Sequence, residues 1–470
     1  MNRWVIPRKN YFDKPDNFPY RLMVTIVIAI FLLCFGYNAL TIPLSDKFGM
    51  QLLDKAGGIS LSLSLLFIAI LVTAYRIIAF HYRFAEYIER YGMYRWKRWA
   101  INTLVLLDFS SITPVPDLSL KMQKLEGDAP LYPATPLRIA VESEDIGVSR
   151  FGQVLITLLK PLKGSLIRGP YPFEIGIYVR GSDKSVCDEL STVLAQLVTD
   201  RNKIGDIHLL ETCPDYRLIN TWMDETTRRN RLLIAIELHN DEQQDFFESA
   251  SAFVFTGQDL LREQDTPMFL LRTMNTDSYH LDSIAHAYFS AEQVDVKKIN
   301  RLWSSGLDKQ AKLILHAAVD NAGTGVAAGS RYDLETVTGN ASEVQKWMLL
   351  ALAADAAKHG QGHQLITTSA ADKIYTGIVT FKDPGRWREP RAFYATIYWF
   401  STALFLTLLF LLATITLIPV GFFNEEGSGW FLVGLSAFAS ITYFGTFKFA
   451  FNKAMKSIQE SMQVFHPRYY

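Results

Sequence analysis

Cysteine is scarce in this chain: three residues in 470, Cys34, Cys187 and Cys213, the first of them inside an apolar run. So few thiols exclude a disulfide framework and agree with a reducing compartment. Net charge is missing too, since 47 Lys and Arg balance 47 Asp and Glu. No bulk basic character therefore speaks for nucleic acid. The sequence holds no H-E-x-x-H, no C-x-x-C, no Walker Lys-Ser/Thr and no G-x-S-x-G. It thus carries no signature of a zinc protease, a zinc ribbon, a P-loop or a serine hydrolase elbow, and no metal or other cofactor is expected.

What the chain does have is long apolar runs, at residues 22–44, 59–80, 393–423 and 430–447. Each approaches or exceeds the ~20 residues that cross a hydrocarbon core of ~30 Å. The first run has no charge, and the second has only Arg76 near its end, where the stem can follow apolar surface while the guanidinium reaches headgroups. Residues 424–429 (NEEGSG) form a polar turn between the last two. Arg3, Arg8, Lys9, Lys14 and Arg21 precede the first run; Arg83, Arg90, Arg95, Lys97 and Arg98 follow the second; Lys382, Arg386, Arg388 and Arg391 precede the third; Lys448, Lys453, Lys456 and Arg468 follow the fourth. The positive-inside rule then puts both termini and the large domain in the cytoplasm of a multi-pass protein. Within 81–100 (HYRFAEYIERYGMYRWKRWA), basic and aromatic residues interleave at helical spacing. Arg83, Arg90, Arg95, Trp96, Lys97, Arg98 and Trp99 are accordingly candidates for a membrane-interface helix.

The expected organisation is a helix pair in 1–80, a juxtamembrane helix and Pro-rich arm in 81–136, an α/β domain in 137–381, and a second helix pair with a tail in 382–470. Five prolines between 114 and 136 argue against a regular helix or central strand in the arm. In the domain, residues 173–180, 207–211, 231–238, 251–256, 312–319, 364–367 and 374–381 read as strands, and 184–199 and 342–359 as helices. The strands 231–238 and 251–256 suit an antiparallel pair. Strand, helix and strand pair recur, so two similar α/β halves are expected.

Several residue groups bear on chemistry. The glycines in 321–329 (NAGTGVAAG) miss the G-x-G-x-x-G spacing and no apolar helix opens behind them, so the segment reads as a loop. His359 and His363 lack further ligands nearby; Gly360 suits a helix C-cap, with His359 favourable at the helix end. His316, alone among apolar residues, reads as a core histidine. Cys187, one turn into a helix after a strand, is where a helix N-terminus can lower a thiol pKa. Cys213, beside Pro214, receives no role. Candidate partner contacts are the acidic loop residues Asp241, Glu242, Asp245 and Glu248, and the aromatic anchors Trp222, Trp303 and Trp347.

The segments RLLIAIELHNDEQQDFFESASAFVFTG, DLETVTGNASEVQKWMLLALAADAAKHGQGHQLI and DKIYTGIVTF resemble the cytoplasmic region of the type VI secretion lipase adaptor family. The duplicated arrangement is similar in outline to the thiolase-like fold. The resemblance implies four transmembrane helices flanking a cytoplasmic domain of two α/β halves, in the inner membrane of a Gram-negative bacterium. It also implies a non-catalytic adaptor that holds a lipase effector near the secretion spike, where anchoring raises effective concentration. The alternatives are a membrane-bound thiolase-like acyl-handling enzyme using Cys187, and an immunity protein. A channel fits least, because no polar stripe lines the apolar runs.

Overall fold

The computed structural model describes residues 4–7, 20–41, 56–130, 137–140, 148–167, 171–198, 200–225, 229–239, 246–262, 265–385 and 387–390. They fall into two compact units, one made of residues up to Ile6 with Arg95–Trp387, the other containing Pro7–Tyr94. In the second unit lie α1 (Tyr20–Thr41) and most of α2 (Gly58–Ala100). The 22 residues of α1 have a mean hydropathy of 2.3 in their most apolar window and rise ~33 Å at 1.5 Å each. Among the described residues α1 is the one helix long and apolar enough to cross a membrane. The expected span 59–80 falls inside α2, whose apolar stretch, Gly58–Val72, is shorter. The expected spans 393–423 and 430–447 lie outside the described residues. The multi-pass topology therefore has one helix behind it.

The first unit is α/β. Its first half runs β1 (Thr103–Ile112), α3 (Leu118–Met122), α4 (Arg150–Leu159), α5 (Lys163–Leu166), β2 (Phe173–Val179), α6 (Ser185–Leu197), β3 (Ile204–Leu209), α7 (Arg217–Asp224), β4 (Asn230–Glu237), β5 (Ser249–Thr256). The second runs β6 (Met268–Leu271), β7 (Met274–Thr276), α8 (Leu281–Ser290), β8 (Ile299–Ser305), α9 (Lys309–Asn321), β9 (Arg331–Asp333), α10 (Glu335–Thr338), α11 (Gln345–Lys358), β10 (His363–Ala370), β11 (Lys373–Thr380). The strands form one sheet in the order β3-β2-β4-β5-β1-β6-β11-β10-β8-β9, with β7 on β11. Leaving out β7, each half reads third-second-fourth-fifth-first. In each half the fifth strand alone opposes the rest, β5 against β4 and β1, β11 against β10 and β6. The antiparallel pairing of β1 with β6, Thr103 opposite Leu271, joins the halves. A duplicated α/β unit about an approximate twofold axis is the thiolase-like outline.

Burial explains why these strands read as they do. In β4, Leu232, Ile234 and Ile236 enter one core while Leu233 and Ala235 enter another, so every position is buried. A strand covered on both faces reads as a continuous apolar run. The outer core gathers α4, α5 and α6 on the first half; the inner core gathers α3, α7 and α11 against strands from both halves. Helix α11 is buried on nearly all sides, as a helix apolar all round must be.

Two expectations are corrected. Residues 312–319 belong to helix α9, not to a strand: Asp308 caps it by accepting from Ala311 N at 2.6 Å, and Ala311, Leu315, Ala318 and Val319 supply the buried stripe. The sheet begins at Thr103, inside the stretch expected to be juxtamembrane arm; β1 is its central strand. In the loop 321–329, Gly325 approaches β8 so closely that a Cβ would lie 2.5 Å from Lys297 O. Close backbone packing, not phosphate, accounts for that glycine.

Candidate functional site

Helices α7 and α11 each connect the third and fourth strands of their own half, and their first turns meet in the central layer. Tyr216 Oη donates to Lys346 O at 2.6 Å, Trp347 Nε1 to Pro214 O at 2.9 Å, and Lys346 Nζ to Cys213 O at 3.2 Å. Beside this junction, Tyr375 Oη donates to Asp215 Oδ2 at 2.7 Å. The junction holds Cys213 half-buried, its Sγ donating to Glu343 O at 3.2 Å. Tyr178, from β2, donates through Oη to Glu343 Oε2 at 3.2 Å. Glu237, the last residue of β4, is buried and paired with Arg180, whose guanidinium sits 4.5 Å from the Phe246 ring centre.

Burial is the largest influence on Cys213, Tyr178 and Glu237. It pushes the Cys213 thiol up to about 12, with Lys346 pulling the other way and Glu343 adding to the rise. It pushes Tyr178 to about 12 as well, helped by the Glu343 charge. The Glu237 carboxyl is raised by burial against the pull of Ser342 and Arg180. The thiol is partly open to solvent, with the Glu343 main-chain oxygen against it and the Lys346 side chain on the carbonyl of the same residue. Such a group can form a thioester if its proton is taken during attack.

The other candidates are elsewhere. Cys187 lies in the first turn of α6, against the outer core and away from the helix junction. Trp303 and Trp347 are fully buried, Trp303 donating to Gln364 Oε1 at 2.9 Å. Trp222 is half-buried, with its ring 5.5 Å from Phe255 and the Arg231 guanidinium 5.0 Å from its centre. Glu248 is buried under Arg150, while Asp241, Glu242 and Asp245 lie outside the described residues. Arg83, Arg90 and Arg98 are exposed, and Arg95 is half-buried. Trp96 and Trp99 turn instead onto Trp4, at 6.4 and 5.0 Å between ring centres, and Lys97 pairs with Glu292 at 2.8 Å. His363 is buried with Nδ1 2.7 Å from Thr380 Oγ1, His359 bonds Asp355 O, and among the described residues no cluster suits a metal ion. Sequence reasoning passed over Cys213 because no histidine stands near it in the chain. Its place directly after the third strand of a half was the available signal.

No family model matches the chain, and no curated protein matches it. Membership of the type VI lipase adaptor family has no finding behind it. Among solved structures, the chain is similar to 3-oxoacyl-[acyl-carrier-protein] synthase III from Aquifex aeolicus at 11% identity and TM-score 0.37, covering 59% of this chain and 99% of that one. It is similar to Xanthomonas campestris OleA at 9% and 0.38, covering 60% and 98%. A type II PKS acyl-carrier protein in complex with its ketosynthase gives 14% and 0.42, covering 60% and 99%. The fold assignment itself stands on the duplicated strand order. The expectation of a non-catalytic protein is withdrawn: those structures are named as a synthase and as a ketosynthase with its carrier protein.

Proposed function

We propose that this is a membrane-anchored acyl-handling protein that accepts an acyl group from a thioester on Cys213. The observation that carries this reading is the placement of that half-exposed thiol where the equivalent helices of the two halves meet, between Glu343 and Lys346. A donor thioester and the Cys213 thiol exchange to give the Cys213 thioester and the donor's free thiol. The apolar helix α1 supports the anchoring part of this reading.

The test is to incubate the detergent-solubilised full chain with a long-chain acyl thioester and measure intact mass, then map the peptide. A hydroxylamine-sensitive adduct on Cys213, absent in Cys213→Ser and retained in Cys187→Ser, is expected. An adduct on Cys187 alone, or none, overturns the reading.

A further inference from the structure

Trp4, near the start of the chain, is buried. Its ring lies 6.4 Å from Trp96, 5.0 Å from Trp99 and 4.9 Å from Tyr288 between centres, so an aromatic cage built from the last turns of α2 and from α8 closes around it. The indole Nε1 donates to Thr273 O at 3.3 Å. Thr273, between β6 and β7, shares that oxygen with helix α7: Asn220 Nδ2 donates to it at 2.9 Å, and Asn220 Oδ1 accepts from Thr273 N at 3.0 Å. One residue earlier, buried Arg272 joins the same cage, its guanidinium 4.8 Å from the Trp99 ring centre and its Nε donating to Trp99 O at 3.0 Å. Its Nη1 and Nη2 donate to the carboxylate of Asp224, the last residue of α7, at 3.2 and 2.5 Å.

Helix α7 has eight residues, and an isolated helix that short is marginal in water. Its order therefore comes from what grips it. The Tyr216 and Pro214 bonds to α11 hold its start, beside Cys213, while Arg272 and Thr273 hold its body and its end. The second grip is the one on which Trp4 sits.

We propose that the N-terminal segment is a strap: Trp4, seated in its cage, fixes Arg272 and Thr273, through them orders α7, and so limits access to the Cys213 thiol. The device is independent of the acyl-transfer reading, because it acts on the thiol's accessibility whatever the thiol binds. Without the indole, Trp99 and Tyr288 face a void and Thr273 O loses one of its two side-chain donors. The outer core of the first half holds none of these residues. A strap therefore loosens α7 selectively when it is lost, whereas an ordinary core residue weakens the whole unit.

The experiment is peptide-resolved hydrogen exchange on the full chain in detergent, with iodoacetamide labelling of Cys213 and Cys187, for wild type, Trp4→Ala and Trp4→Phe. In Trp4→Ala, exchange through α7 and residues 272–276 is expected to rise about 10²-fold, the scale of a large aromatic lost from a locally opening segment. Cys213 labelling speeds up with it, while Cys187 labelling and exchange in β4 and α4 stay at wild-type rates. Trp4→Phe keeps a ring but loses the N–H, and it falls between. Wild-type protection of α7 in Trp4→Ala overturns the proposal, as does unchanged Cys213 labelling or a loss of protection spread evenly over the domain. Should Trp4→Ala fail to fold, the same comparison is read from Trp4→Phe.

Discussion

Glu248 offers the sharpest test of how the first half is held together. Its side chain is fully buried and accepts four hydrogen bonds: Ile139 N at 2.6 Å, His239 N at 2.7 Å, and Arg150 Nη1 and Nη2 at 3.0 and 2.6 Å. From its place just before β5 it thereby ties the residues that follow β4 to the segment at Ile139 and to the start of α4. Glu248→Gln keeps the shape but places an amide NH2 against donors. Bonds to a charged group are worth about 1.5–3 kcal/mol each, and a stranded buried N–H costs about 1–3. Arg150 is 38% exposed and recovers water, so its share is discounted. The net loss comes to about 2–4 kcal/mol, or ~3–6 °C in Tm for a unit of about 300 residues. Tryptophan-fluorescence melting of the solubilised protein measures it.

The pH dependence gives a second reading of the same residue. Burial raises the Glu248 carboxyl, but Arg150 and the His239 and Ile139 N–H groups outweigh it and the net shift is downward. A folded pKa below the unfolded one means stability that is present above the ordinary carboxyl value and lost as pH falls through the lowered one. The difference between wild type and Glu248→Gln should therefore be full at neutral pH and shrink in acid below about 4.3, the unperturbed value. A Glu248→Gln variant melting within ~1 °C of wild type at neutral pH, equivalent to a loss of about 0.6 kcal/mol or less, would refute the account.

Two further predictions concern the second half. Burial, helped by a hydrogen bond with Asp333, raises Glu335 to about 7, so the pair holds one proton between them. Stability from that proton is present below 4.5, the ordinary value, and is lost as pH rises through about 7; Glu335→Gln should flatten the melting profile across that window, and an unchanged slope counts against the shared proton. Trp347 is fully buried, packs 5.6 Å from Phe253 between ring centres and donates to Pro214 O; Trp347→Ala should cost about 3–5 kcal/mol by denaturant titration, and a loss below about 1 would show that α11 packs loosely there.

Much of the α/β pattern was legible because it follows from burial. Strands β2, β4, β5, β10 and β11 are rich in β-branched and aromatic residues, and the antiparallel neighbours β4 and β5 pair as their spacing suggests. What escaped were strands whose apolar signal is diluted. β8 reads INRLWSS, with polar residues at both ends, and β1 follows a basic-aromatic helix that draws attention to the membrane. Helix α9 was misread because KLILHAAV is a short apolar run, and periodicity over eight residues does not separate a strand from a helix face; the Asp308 cap was the deciding cue. Trp96, Trp99 and Lys97 have the composition of an interface belt, yet a tryptophan more than ninety residues earlier in the chain takes two of them into a packed aromatic cluster. No local pattern encodes such a contact.

The choice between Cys187 and Cys213 shows why the site was harder to read than the fold. Both cysteines follow a strand, and by local rules Cys187 is the better nucleophile because it lies within the first turn of a helix. On the acyl-transfer reading the duplication reverses that order. In either half the helix after the second strand, α6 or α9, packs on an outer face, whereas the helix after the third strand, α7 or α11, enters the layer between strands of both halves. The latter helices bring together residues of the two halves, as Cys213 meets Glu343 and Lys346 some 130 positions on. A nucleophile needs a proton acceptor and a charge partner that its own segment does not supply. On that reading the place of the nucleophile follows from which crossover faces the other half, and that property belongs to the strand order rather than to any residue's neighbours in the chain.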